Sequence, residues 1–445
     1  MTEHLVSYFT TAGPTRPPGI PADDRMIGVP LDVPGDPHVV GTSVWEELAR
    51  HRLTPTPEAL DLYRLAVLVY AADTRVHRSR GYDAWSRDFA VHLPVHDLTR
   101  WQAAKPELES LLGFLSGDRW TLELSVGAPD QPARNENLWE RGSSFSADAV
   151  MLFSGGLDSF IGAADALAAG QKLLLVGHYD HSTTSVPQEA AFAAINERFP
   201  GAAAQLMLYV LPPKNLTEES ETSTRSRSFL FMSLASLVAS GTPGATRLVI
   251  PENGLIALNA PLICTRLGSL STRTAHPHTL ALMRRALSAL GMPQQLEAPY
   301  AFRTKGEMAT GSPARDFILQ NAGQTMSCAH PGVDHWQKGG SPFRHCGYCL
   351  PCLIRRAALS QAGQDNTAYT YDILATLPPE GDRREDLRAV LTAIERAPGR
   401  SAAASVLRAG PLSDAPDDID GYVDVYRRGL AEVGAFLARR SVHTV

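Results

Sequence analysis

The chain has 445 residues, 44% of them hydrophobic and 20% charged, with a net charge of −6 at neutral pH. Such a length allows two or three domains with substantial cores, and the composition is that of an ordinary soluble protein. No apolar run approaches the roughly 20 residues that span a bilayer, and the acidic balance gives no basis for general nucleic-acid binding, so neither a membrane nor a nucleic-acid partner is expected.

Thr11 to Pro37 is dense in proline and glycine and reads as an irregular, arm-like lead-in. Leu60, Leu62, Leu65, Ala66 and Val69 predict a helix over Pro57 to Val76, followed by a strand over Phe89 to Val95, a helix over Leu98 to Leu115 and an alternating strand over Trp120 to Val126. Residues 1–145 therefore read as an N-terminal α+β domain, closed by a polar linker over Pro129 to Ser146. The rhythm then changes. Ala147 to Phe153 is a continuous apolar run, Ser154-Gly155-Gly156 is a turn, and Leu157, Phe160, Ile161, Ala164, Leu167 and Ala168 recur at helical spacing before Gly170. Strand-like Leu173 to Val176, Leu206 to Leu211 and Leu248 to Ile250 alternate with helix-like Pro187 to Arg198 and Ser228 to Ser240. That alternation predicts an α/β domain over 146–325, its parallel sheet covered on both faces. Ligands of such sheets lie outside the carboxyl ends of the strands, where Ser154, Tyr179 and Glu252 emerge. A cysteine-rich segment fills 326–360. The extension over 361–445 is helical, with Tyr422, Val425, Tyr426, Leu430, Val433 and Phe436 spaced for one packing face.

The turn from Phe153 through Ser159 has the make-up of a phosphate cradle. Gly155 and Gly156 carry no Cβ to obstruct an anion, the following helix offers unpaired N–H groups, and Ser154 and Ser159 add hydroxyls. Asp158 would repel phosphates unless a cation lies between, so it reads as a Mg²⁺ ligand or as a helix N-terminal charge. The pattern GxxxxGK[ST] is absent, which argues against γ-phosphate transfer; the bland alternative is a capped helix after a tight turn. Cys328, Cys346, Cys349 and Cys352 suit a tetrahedral thiolate site of the kind structural Zn²⁺ prefers, with an iron–sulfur cluster as the alternative. His330, His335 and His345 read as neighbours of that shell or as solvent-facing, and Cys264 as a small buried apolar residue. Five cysteines and no apolar leader point to a reducing cytoplasm.

The cradle resembles that of the ATP pyrophosphatases, which cleave ATP between its α and β phosphates and adenylate a substrate. The cradle, Arg225-Ser226-Arg227-Ser228-Phe229-Leu230, Pro299 to Glu307, Ser327-Cys328 and Cys346 to Arg356 occur in the order seen in QueC-type 7-cyano-7-deazaguanine synthases. This likeness, over roughly Ser146 to Ala358, implies the parallel twisted sheet of the adenine nucleotide alpha-hydrolase (PP-loop, HUP-like) type, a structural zinc near the active site, and ATP and Mg²⁺ as further requirements. It implies adenylation of the carboxylate of 7-carboxy-7-deazaguanine, amide formation with an amine, and dehydration of the amide to a nitrile. Two departures stand out: seventeen residues separate Cys328 from Cys346, a wider gap than in housekeeping members, and about 145 residues precede the cradle. The architecture is similar to the QueC-like proteins of bacterial anti-phage systems, the QatC family of Qat operons among them. That likeness implies a protein from the same operon as amine acceptor and allows a homodimer.

Adenylation gathers charge on the α-phosphate and on the departing pyrophosphate, so cations should converge there. Asp158, Ser159, Arg227 and Lys305 are the residues expected to serve the reaction, with Arg225 and Arg303 as structural or solvated charges. Phe153 to Ser159 and Tyr179 are expected at ATP, and Glu252, Asn253, Arg273 and His276 at the acid substrate. For Glu252 and Asn253 the competing reading is a turn before Gly254; for Arg273 and His276 it is a plain surface loop. His178 and His181 read as structural. Other readings remain: a housekeeping synthase using ammonia, a tRNA thiolase (for which only Cys264 is left over), an amidotransferase with no use for four cysteines, or a non-catalytic nucleotide-binding scaffold.

Overall fold

The structure is a computed structural model that describes residues 2–33, 39–217, 220–221, 225–260, 273–336, 339–375, 382–399, 401–412 and 418–439. Cys264 and Gly268 to Thr272 lie outside the described residues.

The lead-in holds two strands, β1 (Glu3–Tyr8) and β2 (Arg25–Pro30), the second within the stretch expected to be irregular. After them come β3 (Gly41–Thr42), α1 (Val44–Arg50), α2 (Pro57–Arg75), β4 (Asp88–Val95), α3 (Leu98–Ser116) and β5 (Arg119–Val126). The Thr56 hydroxyl accepts from Ala59 N–H to start α2 and Pro57 fills its first position; Asp97 caps α3, which ends at Gly117 with φ +75°. The strands pair in the order β2-β1-β4-β5, every pair parallel. The α+β expectation for residues 1–145 is therefore corrected: this is a parallel α/β layer. Parallel neighbours need crossovers: α2 lies on the one that leads from β2 to β4 and α3 on the one from β4 to β5, while residues 9–24 carry the chain from β1 to β2 without a helix. The presumed linker contains a short helix, α4 (Glu136–Arg141).

The second layer is built from β6 (Ala149–Leu152), α5 (Leu157–Ala168), β7 (Leu173–His178), α6 (Ser182–Arg198), β8 (Ala203–Leu208), β9 (Val210–Leu211), α7 (Arg227–Gly241), β10 (Arg247–Val249), α8 (Gly254–Leu258), α9 (Pro277–Ala289) and β11 (Gln295–Glu297). Five of these strands form the sheet β11-β10-β6-β7-β8, again all parallel. Every residue of β6 and β7 is buried, as a sheet covered on both faces requires. β9 leaves this sheet to pair antiparallel with β3, so the strand expected over Leu206 to Leu211 is two. Chain order runs outward from β6 in one direction and from β10 in the other, which puts the topological switch point between them.

The chain closes with α10 (Lys305–Gly311), α11 (Arg315–Asn321), α12 (Leu350–Ala362), α13 (Asp382–Arg396), α14 (Ser401–Ala409) and α15 (Ile419–Leu437). One apolar core runs through both sheets: α2 packs on α7 and α3 on α9, joining Leu65 and Leu112 to Phe229 and Met283. A second cluster covers the opposite face of the five-stranded sheet, and a third gathers α12, α13 and α15 around the cysteines. Tyr422, Val425, Tyr426, Leu430, Val433 and Phe436 are buried in the third, as their spacing predicts. No helix among the described residues is long and apolar enough to cross a membrane.

Candidate functional site

At the switch point the carboxyl ends of β6 and β10 open onto a cavity of about 400 Å³. Ser154, Gly156, Leu157, Asp158 and Ser159 line it from the β6–α5 turn, Pro251 and Glu252 from the end of β10, and Arg227, Ser228 and Thr274 from the start of α7 and its neighbour; Lys305, Ser327 and Cys328 are also among the lining residues.

The two glycines do different jobs. Gly155 has φ +75°, and a Cβ there would come within 2.9 Å of the Gln188 backbone in α6. It makes the turn and lets α6 approach. Gly156 caps α5 and lines the cavity; its N–H donates to Ser154 Oγ (3.3 Å), and it has no side chain to accept the first-turn donors. One of these, Leu157 N–H, donates to Ser327 Oγ (3.1 Å), and Ser159 Oγ donates to the Gly156 carbonyl (2.9 Å). Gln188, wholly buried, donates to the carbonyls of Ser154 (3.3 Å) and His178 (3.2 Å), tying the ends of β6 and β7 together.

Asp158 is buried. Its Oδ1 lies 3.1 Å from Lys305 Nζ, and its Oδ2 accepts from the Asn253 amide side chain (2.7 Å) and backbone N–H (3.3 Å). Asn253 also caps α8 by accepting from Ile256 N–H, so it is a linker between two helix starts and does not line the cavity. Glu252 does line it. Burial and the neighbouring Asp158 push its carboxyl up to about 7, with Lys305 opposing. Lys305 opens α10, whose capping box joins Thr304 and Glu307. The box is gripped by α15: Thr304 and the Gly306 N–H donate to Glu432, while Arg428 pairs with Glu307 and donates to the Phe302 carbonyl.

Arg227 opens α7, with Nε donating to His178 Nδ1 (3.4 Å) and Nη2 3.8 Å from Asp180. Burial, then Arg227, lowers His178 to about 3, so it stays neutral and can accept that bond. Its ring meets Tyr70 of α2 edge-on, 6.2 Å between centroids, so the first layer supports this side of the cavity. Ser226, just before, donates through N–H and Oγ to Asp73 of α2 (both 2.9 Å).

Other expected residues fall elsewhere. Phe153 is fully buried and continues the sheet bonding; Tyr179 packs edge-on to Tyr209; neither lines the cavity. Arg273 donates to the Phe114 carbonyl (2.6 Å) and His276 caps α9, accepting from His278 N–H; both are absent from the lining. Gln188 and Tyr70 carried no local signal. Ser327 did, since it adjoins Cys328.

The sulfurs of Cys328, Cys346, Cys349 and Cys352 all lie within 4.8 Å of one another. His330 and Cys346 N–H donate to Cys328 Sγ, and Cys349 N–H to Cys346 Sγ, bonds that favour thiolates. Hydrogen bonds from Cys328 and the other two thiols hold Cys346 far below the usual thiol range. Four sulfurs at this spacing fit a metal ion, and the donor set is compatible with zinc. His345 Nε2 accepts from Ser327 N–H, while His330 and His335 are exposed, so no histidine is needed in the shell. The cluster abuts the cavity through Cys328 and Pro351.

No family model matches the chain, and no curated protein matches it.

Proposed function

We propose that the protein is a QueC-like, PP-loop ATP pyrophosphatase that adenylates the carboxylate of 7-carboxy-7-deazaguanine and transfers the activated acyl group to an amine. The reading rests on the strand–turn–helix cradle at the switch point, with Lys305 and Arg227 lining the same cavity. A carboxylate oxygen attacks the α-phosphorus, the bond to the β-phosphate oxygen breaks, and pyrophosphate leaves; the amine then displaces AMP and gives up a proton. The N–H groups at the start of α5 and the Ser154 hydroxyl would receive phosphate oxygens, and Arg227 would neutralise charge on the triphosphate. Lys305 already neutralises Asp158, so a Mg²⁺ held by Asp158 would share that carboxylate with it; the ion would supply further charge neutralisation at the phosphates. Protonated Glu252 would donate a hydrogen bond to the heterocycle. A zinc ion on the four thiolates would hold Ser327 against the cradle.

A cytoplasmic protein of an anti-phage system, with an amine on a partner protein as acceptor, is the setting this proposal favours. The motivation is the α/β layer of residues 1–145 and the wide gap between Cys328 and Cys346. Pyrophosphate release with ATP and 7-carboxy-7-deazaguanine is the test. Release that depends on the acid supports the reading, and none at any acid concentration leaves the nucleotide-binding scaffold. With release established, mass spectrometry of a co-expressed partner separates a protein acceptor from ammonia.

A further inference from the structure

Two hydroxyls flank the space at Gly156. A Cβ built there would lie 3.3 Å from Ser154 Oγ and 3.6 Å from Ser327 Oγ, and all three residues line the cavity. Their hydrogens are not equally free. Ser159 Oγ directs its hydrogen to the Gly156 carbonyl (2.9 Å), which leaves its oxygen as an acceptor for Ser154 at 3.4 Å. Ser327 Oγ instead accepts twice, from Leu157 N–H (3.1 Å) and from Arg355 Nη1 (3.3 Å). A hydroxyl oxygen has two lone pairs and one hydrogen. With both lone pairs taken, the Ser327 hydrogen leaves on the remaining side of the oxygen, where it meets no acceptor among the described residues. Ser327 is half-buried on the cavity surface, so a bound group can reach it.

Arg355 strengthens that donor. Its guanidinium stands one turn after Cys352 in α12 and is fully buried, with every N–H engaged. Nε and Nη2 donate to Thr367 Oγ1 (3.1 and 3.0 Å), Nη2 also to the Ala322 carbonyl, and Nη1 to Thr325 Oγ1 (2.8 Å) as well as to Ser327. All four acceptors are neutral. Thr325 passes its hydrogen to the Ala322 carbonyl (2.8 Å), and neither Thr325 nor Thr367 lines the cavity, so Ser327 alone of the four carries this network to it. A hydroxyl that accepts from a cation is polarised and donates more strongly in turn.

We propose that the Ser327 hydroxyl donates to an oxyanion bound on the cradle, a phosphate oxygen of the nucleotide, and that Arg355 is a positioning residue that holds and polarises it. The inference rests on the reading of this cavity as a nucleotide site and is independent of which acid is activated. It puts a ligand contact on the cysteine-rich segment, where Cys328 follows Ser327 directly.

The test is calorimetric titration of the full chain with inorganic pyrophosphate, comparing wild type with Ser327→Ala, Ser327→Thr, Arg355→Lys and the double variant Ser327→Ala/Arg355→Lys. Ser327→Ala loses a hydrogen bond to a charged acceptor and is expected to bind roughly tenfold or more weakly, with circular dichroism unchanged; Ser327→Thr keeps the hydroxyl and should stay within about threefold of wild type. Arg355→Lys should weaken binding when Ser327 is present and add nothing once it is alanine, whereas a merely structural arginine would weaken both backgrounds alike. Should Arg355→Lys fail to fold, the alanine and threonine variants at Ser327 decide the donor by themselves. Folded Ser327→Ala that binds as wild type does, or Ser327→Thr as weak as Ser327→Ala, makes Ser327 a cap for Leu157 and overturns the proposal while leaving adenylation standing. The expected binding pattern in a chain that releases no pyrophosphate from ATP with the acid sustains the donor and removes the adenylation reading. Wild type that takes up no pyrophosphate overturns the proposal outright.

Discussion

Lys305 and Asp158 are buried partners of unequal support. Asp158 keeps two donors from Asn253 if the lysine is lost, whereas Lys305 depends on Asp158 for its counter-charge. Removing one half of a buried pair strands the other. Asp158→Ala, which strands Lys305, should therefore cost about 3 kcal/mol in urea unfolding and Lys305→Met less, with pyrophosphate release abolished in both; unchanged stability in Asp158→Ala would show that water already solvates the pair. Glu252 gives a pH-dependent counterpart. Its carboxyl is raised from 4.5 to about 7 in the fold, so above pH 4.5 the unfolded chain loses a proton that the folded chain retains, and Glu252 costs stability progressively up to pH 7. Glu252→Gln keeps the neutral form. Its stability relative to wild type should rise between pH 5 and pH 8, by on the order of 2 kcal/mol; a difference independent of pH would place Glu252 in open water. At this scale the cradle was legible because its residues are consecutive. The burial of Asp158 was not, since Asn253 and Lys305 reach it from 95 and 147 residues away along the chain.

Helices with strong local signals appear where their periodicity puts them: Pro57–Arg75 and Leu98–Ser116 match the expected spans within a residue at each end. β1 and β2 escaped because six-residue strands next to a proline-rich loop carry too short a pattern, and parallel pairing is set by crossovers that no local window contains. The last helix was legible as an apolar face but not as a clamp. Glu432 and Arg428 grip the start of α10, more than 120 residues earlier, and so hold the helix that begins with Lys305. The cysteine cluster joins the same elements. Cys349 caps α12, and the adjacent Leu350 N–H donates to Asp386 of α13 (3.0 Å), so a metal on the four sulfurs would staple the cradle's neighbour Ser327 to the C-terminal helices. Cys349→Ser should lower the bound zinc, measured by plasma emission spectroscopy, to well below one per chain and reduce the thermal midpoint. Full metal content in that variant would rule out four-thiolate ligation.

The boundary expected near residue 145 is the sharpest contrast between sequence and structure at the scale of the molecule. The change of rhythm and the polar stretch from Pro129 mark a linker between two domains, yet Leu65, Leu112, Phe229 and Met283 belong to a single core that crosses the boundary. Sequence can mark a change of rhythm; it cannot show that helices on either side share a face. Separating the layers would uncover α7 and α9, whose buried Phe229, Leu230, Leu234, Met283 and Leu287 are each worth roughly 1.5–3 kcal/mol of burial. Asp73 would vanish as well, leaving Ser226 without the acceptor that fixes the start of α7 and hence Arg227. A chain of residues 146–445 should consequently aggregate on expression, because its exposed apolar face exceeds what a soluble monomer carries. The full chain should lose near-ultraviolet and far-ultraviolet dichroism in one coincident thermal transition. A soluble, monomeric 146–445 fragment with intact dichroism would mean that the shared core contributes little, and that the first layer is an attached module with no part in holding Arg227 in place.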